Sequence, residues 1–331
     1  MFIIAEVGQA HEGSLGSALS YIDALAEVGV DAVKFQLHIA EAESSIYEPF
    51  RVKFSQQDKT RFEYWKRMEF SKAQWKILKS RCEEKKVEFL ASPFSNAAVD
   101  ILEELRVERY KIGSGEVNNL LLLEKIARTG KPVILSTGMS SFAELDKSVA
   151  FLKSKQIEYP LLQCTTSYPT EPENYGLNLI GELKERYGVP VGFSDHSARK
   201  ETCIAAAALG AEILEFHAVF SRKSFGPDAS SSLEIGEIKE LVDAVKNIAK
   251  ALEHPVDKSD NSSFSELKDI FEKSLAVNKD LPIGHILRFE DLEAKKPRNK
   301  GILASDFEVY IGKKLIVTKS QWEFLKECDL E

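Results

Sequence analysis

At 331 residues, 44% hydrophobic and 29% charged, the chain has the make-up of a soluble globular protein with room for one large α/β domain and a small module. A formal net charge of −8 argues against a nucleic-acid binder, and no apolar run approaches the ~20 residues that span a bilayer. Residues 1–5 lack a basic n-region and read as a first strand, and the four scattered cysteines form no CxxC pair, as expected of reduced thiols in the cytoplasm.

The first predicted strand is Phe2–Glu6, and a helix runs from about Leu15 to Val28 with Gly29 at its end. The second strand is Ala32–Gln36. From Leu37 to Met68 the periodicity breaks into charged and aromatic residues, a connection long enough to be functional or to carry its own short helix. Then come a helix over Lys72–Glu84 and the third strand, Val87–Ala91. Helices over Ala97–Leu105, Leu120–Ala127 and Phe142–Leu152 precede strands at Arg109–Ile112, Val133–Ser136 and Tyr159–Gln163, in the order helix, strand, helix, strand. After a helix over Leu177–Arg186, two apolar runs, Val191–Ser197 and Ile213–His217, flank a helical pattern over Arg199–Leu209. A long amphipathic helix, Ile235–Leu252, closes the series. Eight βα repeats in ~250 residues are the arithmetic of a closed (β/α)₈ TIM barrel. An open doubly wound sheet fits less well, because no GxGxxG turn follows the first strand. The barrel is expected over 1–253, a turn-rich linker over 254–272, and a small β-rich module over 273–331.

Twenty-one residues separate His196 from His217, each at the carboxyl end of a predicted strand. Two neutral imidazoles there can hold a divalent metal, or each can be an ordinary hydrogen-bonded strand-end histidine. Active sites of such barrels form at the carboxyl ends of the strands. Those positions carry Glu6, Lys34 and Gln36, Ser92, Lys111 with Ser114 and Glu116, Ser136, Gln163, Asp195 and Glu215. Two lysines turned into a barrel are costly without anions, which points to an anionic ligand such as a phosphate or to structural ion pairs. The serines taken singly read as turn chemistry.

Several stretches resemble the N-acetylneuraminate (sialic acid) synthase family: residues 4–14 (IAEVGQAHEGS), 33–38 (VKFQLH), 92–95 (SPFS), 110–119 (YKIGSGEVNN), 134–139 (ILSTGM), 163–170 (QCTTSYPT), 192–196 (GFSDH) and 226–228 (GPD). The tail around 277–315 is similar to that family's antifreeze-like SAF module. The resemblance implies a metal-dependent condensation of phosphoenolpyruvate with an open-chain N-acylated hexose, giving a nonulosonic acid and phosphate. By matching positions, His196 and His217 hold a divalent metal of the Mn²⁺ type, with Mg²⁺ or Co²⁺ as alternatives. Lys34, Lys111, Ser92, Ser114 and Ser136 hold phosphoenolpyruvate. Glu6 and Glu116 sit by the reacting carbons, and Gln36, Thr166, Tyr168 and Asp228 face the sugar. The resemblance further implies a domain-swapped homodimer in the cytoplasm, with no nucleic acid or membrane partner.

Departures gather at the sugar side. Ala10 and Thr166 stand where sialic acid synthases carry Asn, and Phe35 and Gln163 where they carry His. The tail motif becomes Lys295-Lys-Pro-Arg-Asn-Lys-Gly, so the arginine that would reach a partner's sugar is Lys296 or is displaced to Arg298. The expected product is therefore a sialic-type acid, with legionaminate, pseudaminate or a spore-coat sugar as sister products. A metal-dependent barrel hydrolase and a non-catalytic glycan-binding protein are competing readings.

Overall fold

The computed structural model describes residues 1–331, which fall into two units, Met1–His254 and Pro255–Glu331. The first unit begins with β1 (Phe2–Gly8), α1 (Leu15–Val28), β2 (Ala32–Leu37), α2 (Ala40–Glu43), α3 (Arg61–Met68), α4 (Lys72–Lys85) and β3 (Glu88–Pro93). It continues with α5 (Asn96–Glu104), β4 (Tyr110–Ile112), α6 (Leu120–Ala127), β5 (Val133–Ser136), α7 (Phe142–Ser154) and β6 (Leu161–Cys164). The last members are α8 (Leu179–Tyr187), β7 (Val191–Asp195), α9 (Lys200–Ala208), β8 (Ile213–Val219), β9 (Leu233–Glu234) and α10 (Ile235–Glu253). Helix starts follow local chemistry: Ser14, Ser71, Ser95 and Ser141 each accept a hydrogen bond from a backbone N–H of the first turn. Gly29, at φ 86°, ends α1 in the left-handed conformation that glycine adopts without strain.

Eight strands pair in parallel in the order β3-β2-β1-β8-β7-β6-β5-β4. The two end strands, β3 and β4, lie within 8 Å of each other at Cα, so the sheet is a nearly closed (β/α)₈ barrel.

Side chains alternate across each strand, and that period of two sorts the residues into a jacket and an interior. Outward-facing Val33, Phe35, Phe89, Val133 and Leu161 pack against Trp75, Leu78 and the other helix faces. Inside, Ile4, Ala32, Leu90, Ile134, Leu162 and Ile213 form a separate apolar cluster. Two residues further along the same six strands stand Glu6, Lys34, Ser92, Ser136, Cys164 and Glu215, all lining one cleft. A polar storey therefore rests on an apolar floor. Gly192 belongs to that floor, and a Cβ there would lie 2.2 Å from the Ile213 carbonyl oxygen and 2.6 Å from a Leu162 methyl. Only glycine lets β7 and β8 run this close.

One local expectation is met and two shift. The connection after β2 carries short helices as expected, α2 and α3; α3 starts at a Thr60/Glu63 capping box and buries Tyr64, Trp65 and Met68. β6 starts at Leu161 and not Tyr159, because Pro160 has no N–H for the ladder. The segment expected as linker, 254–272, carries α11 (Ser265–Phe271), and from Pro255 onward it groups with the second unit.

In the second unit β10 (Ser274–Val277) pairs antiparallel with β11 (Leu292–Lys295), and α12 (Phe307–Tyr310) follows. Single bridges such as Ala276 to Phe324 and Leu315 to Leu330 replace longer ladders. Its own small core joins Leu275, Val277, Leu281, Leu287, Ile302, Leu315 and Leu325.

Candidate active site

The cleft, about 390 Å³, opens at the carboxyl ends of the barrel strands. Strand register builds its depths. Glu6 stands opposite Lys34 on one side and His217 on the other. Glu6 Oε2 accordingly lies 2.9 Å from Lys34 Nζ and 3.3 Å from His217 Nε2. On β8, Glu215 faces Ser194 of β7 and accepts its hydroxyl at 3.0 Å. Glu215 also lies 3.2 Å from both Lys34 and Lys111, so one carboxylate bridges the two lysines across the barrel. Lys111 donates to Ser136 Oγ at 2.7 Å.

All four charged groups of this cluster are 2–3% exposed, and their environments differ. Burial opposes the charge on Lys34, but Glu215 and Glu6 outweigh it and hold its pKa above the ordinary lysine value. Burial and the neighbouring Lys34 hold Lys111 below that value, since Glu215 is its one direct carboxylate. Burial works against ionised Glu6, yet Lys34, His217 and Lys111 keep it far below the usual carboxylate range. Glu116, on the turn after β4, shifts the other way: burial raises its pKa against the pull of its bond from Asn119 at 2.7 Å. Two carboxylates pushed apart in this way suit two roles, one permanently charged and one able to carry a proton.

His196 and His217 face each other with ring centroids 5.3 Å apart. His196 Nδ1 lies 3.0 Å from the Thr165 carbonyl oxygen, an arrangement that orients the ring and leaves Nε2 as the available ligand atom. No cluster of three His, Cys, Asp or Glu side chains is set at metal-holding distances. Two imidazoles are nonetheless donors that could hold a divalent ion, the other positions falling to water and substrate. Tyr168 packs against both rings, and the Arg51 guanidinium lies 4.0 Å from the Tyr168 ring centroid while donating to Asp228 at 2.7 Å.

With this geometry in view, comparison with known proteins is informative. The NeuB family model matches residues 21–257. Human N-acetylneuraminate-9-phosphate synthase is 34% identical over 330 residues, covering 98% of this chain and 91% of the human one. The N,N'-diacetyllegionaminic acid synthase of Campylobacter jejuni is 35% identical over 327 residues, with 97% of each chain covered. The crystal structure of N-acetylneuraminic acid synthetase from Leptospira borgpetersenii superposes with a TM-score of 0.71 at 36% identity, covering 80% of this chain and 89% of that one.

The chain belongs to the NeuB family.

Of the residues singled out in this NeuB-family sequence, Glu6, Lys34, Gln36, Ser92, Lys111, Ser114, Glu116 and Ser136 line the cleft, as do Thr166, Tyr168, His196, His217 and Asp228. Gln163 does not: it faces away and donates to the Tyr175 carbonyl at 3.3 Å. Lys296 and Arg298 belong to the second unit, where Lys296 Nζ lies 4.9 Å from the Phe271 ring centroid and Arg298 pairs with Glu272 at 3.0 Å.

The cleft also holds residues that sequence reading passed over or left without a task. Glu215 is one, as the shared counter-ion of both lysines. Another group comes from the segment after β2: His38 stacks between Trp65 and Phe94, bonded to Gln9 and Glu43, with Glu48, Arg51, Arg61 and Tyr64 beside it. The aromatic and charged composition of residues 37–68 was the available signal for these.

Proposed function

We propose that this NeuB-family chain condenses phosphoenolpyruvate with an N-acylated hexose, giving a nonulosonic, sialic-type acid and phosphate. The observation that carries this reading is the joint placement of two buried lysines and two facing histidines in one cleft of the barrel. Lys34 and Lys111 supply charge for the phosphate and carboxylate of phosphoenolpyruvate, with hydroxyls from Ser92, Ser114 and Ser136. Gln36, Thr166, Tyr168 and Asp228 face the sugar. A divalent cation of the Mn²⁺ type, with Mg²⁺ or Co²⁺ as alternatives, held by His196 and His217, would supply Lewis-acid polarisation of the aldehyde and a template for the two substrates.

In the reaction, C3 of the enolpyruvate forms a bond to the aldehyde carbon as the enol double bond opens, and the aldehyde oxygen takes a proton from Glu116, the carboxylate whose environment favours the protonated form. Positive charge develops at C2, next to Glu6, which Lys34 and Gln36 hold in place at 2.9 and 2.7 Å. Water adds to C2 and returns a proton to Glu116, ionised by the preceding step. The bond from C2 to the phosphate oxygen then breaks as the C2 hydroxyl proton passes to the departing phosphate, leaving a ketone and free phosphate. Legionaminate, pseudaminate and spore-coat sugar acids are products of the same chemistry, set by which aldose the outer cleft accepts. The second unit is read as an antifreeze-like SAF module that brings Lys296 or Arg298 to a partner subunit in a domain-swapped homodimer, and the enzyme as cytoplasmic. Its support is the sequence resemblance of the tail.

The test is phosphate release from phosphoenolpyruvate with Mn²⁺ across a panel of N-acylated hexoses. His196→Ala and His217→Ala should each weaken Mn²⁺ binding, followed by paramagnetic resonance, and abolish metal-dependent turnover; full activity in both removes the metal role. Lys111→Ala should raise KM for phosphoenolpyruvate at least tenfold, and an unchanged KM sinks that assignment.

A further inference from the structure

Resting on the synthase reading, we infer that the aldose is an uncharged sugar, not a sugar phosphate. The cleft has two electrostatic halves. In the deep half two lysines meet two carboxylates, and the two imidazoles add capacity for a cation. In the outer half, formed by the segment after β2 and the turns after β4 and β8, Arg51 and Arg61 meet Glu43, Glu48, Glu116 and Asp228. Both guanidiniums are already engaged: Arg51 holds Asp228 at 2.7 Å and Arg61 holds Glu48 at 3.0 Å. Glu43 has no lysine or arginine partner and bonds to His38, so three carboxylates face two guanidiniums even with Glu116, bonded to Asn119, held by burial toward its neutral form.

A phosphate at the far end of the sugar would meet excess negative charge and no free cation. Phosphate sites are built the opposite way, with unpaired guanidinium, ammonium or backbone N–H groups facing the ligand.

Two open polar groups of the cleft, one from the segment after β2 and one from the turn after β1, are neutral. Gln9 Oε1 and Tyr64 OH line the cleft, are buried, and have no hydrogen-bond partner. An amide oxygen and a phenol are the acceptor and donor that sugar hydroxyls and an N-acyl N–H require. Buried polar atoms left open cost stability unless a ligand fills them, so these two mark where a neutral, hydroxyl-rich substrate completes the site. The stacked pair of His38 on Phe94, with Trp65 behind, adds a flat apolar wall of the kind that packs against a sugar's C–H face.

The experiment pairs neutral N-acylated hexoses, N-acetylmannosamine among them, with their 6-phosphates, and follows phosphoenolpyruvate consumption with Mn²⁺. A kcat/KM at least a hundredfold higher for the neutral member is expected. Added salt should narrow that gap, since repulsion between exposed charges is screened. Glu43→Gln should narrow it about tenfold, read as the ratio of the two substrates so that a general loss of activity does not count. Equal or better use of the 6-phosphate overturns this inference while leaving the synthase reading intact, because phosphoenolpyruvate is still consumed. Consumption with neither member of any pair overturns the synthase reading and the inference with it.

Discussion

Glu215 shows how one residue can set the character of a site without needing to touch substrate. Its Oε1 lies 3.2 Å from each of two ammonium groups, and its Oε2 has no partner. Taking one charge from a buried, mutually compensated set leaves another unbalanced, at a cost of about 3–5 kcal/mol. In Glu215→Gln the loss falls on Lys111, which has no second carboxylate, whereas Lys34 keeps Glu6. The variant is expected to unfold at lower urea concentration than the parent. Phosphoenolpyruvate should restore more stability to it than to the parent, because the ligand then supplies the missing anion. A variant with the parent's midpoint and the same response to ligand would show that the lysines do not depend on Glu215.

At the scale of elements, the distance between β7 and β8 is what brings His196 and His217 together. Gly192 sits where a Cβ would come within 2.2 Å of the Ile213 carbonyl oxygen, so Gly192→Ala must push the two strands apart. Overpacking of this kind costs about 1–3 kcal/mol, and the displacement should also weaken Mn²⁺ binding although no ligand atom is changed. Unaltered Mn²⁺ affinity in a folded Gly192→Ala protein would show that strand spacing does not set the histidine pair.

The strands themselves were legible because period-two alternation is a local signal. It separates Lys34, turned inward, from Phe35, packed against Trp75. The histidine pair was legible for the same reason, as matching ends of successive βα units. What lay out of reach was contact across the barrel and between distant loops. The bridge from Glu215 to Lys111 joins β8 to β4, which are not neighbours in the sheet. Arg51 meets Asp228 across 177 residues of chain. No periodicity encodes either pairing, and the segment after β2 showed only that it was aromatic and charged.

On the scale of the whole molecule, the chain carries two apolar cores that share no residue, one in 1–254 and one in 255–331. A fragment ending at His254 retains every residue named in the cleft and is expected to fold, unfold cooperatively and bind phosphoenolpyruvate. If the tail serves a partner's site, that fragment should lose affinity for the aldose and sediment as a monomer. A monomeric fragment with full activity would remove any role for the second unit in turnover.

The apolar floor under the charged storey has a kinetic consequence. Ile4, Ala32, Leu90, Ile134, Leu162 and Ile213 seal the barrel from below, so the chamber is a well with one mouth. The lysines lie near its bottom and the sugar-facing loops at its lip. A well is filled from the bottom up: on the proposed reaction, a hexose seated first would block the path to the lysines, so the enolpyruvate is expected to enter ahead of it. Loading order is then a property of the barrel's geometry, written by six hydrophobic side chains that never meet either substrate.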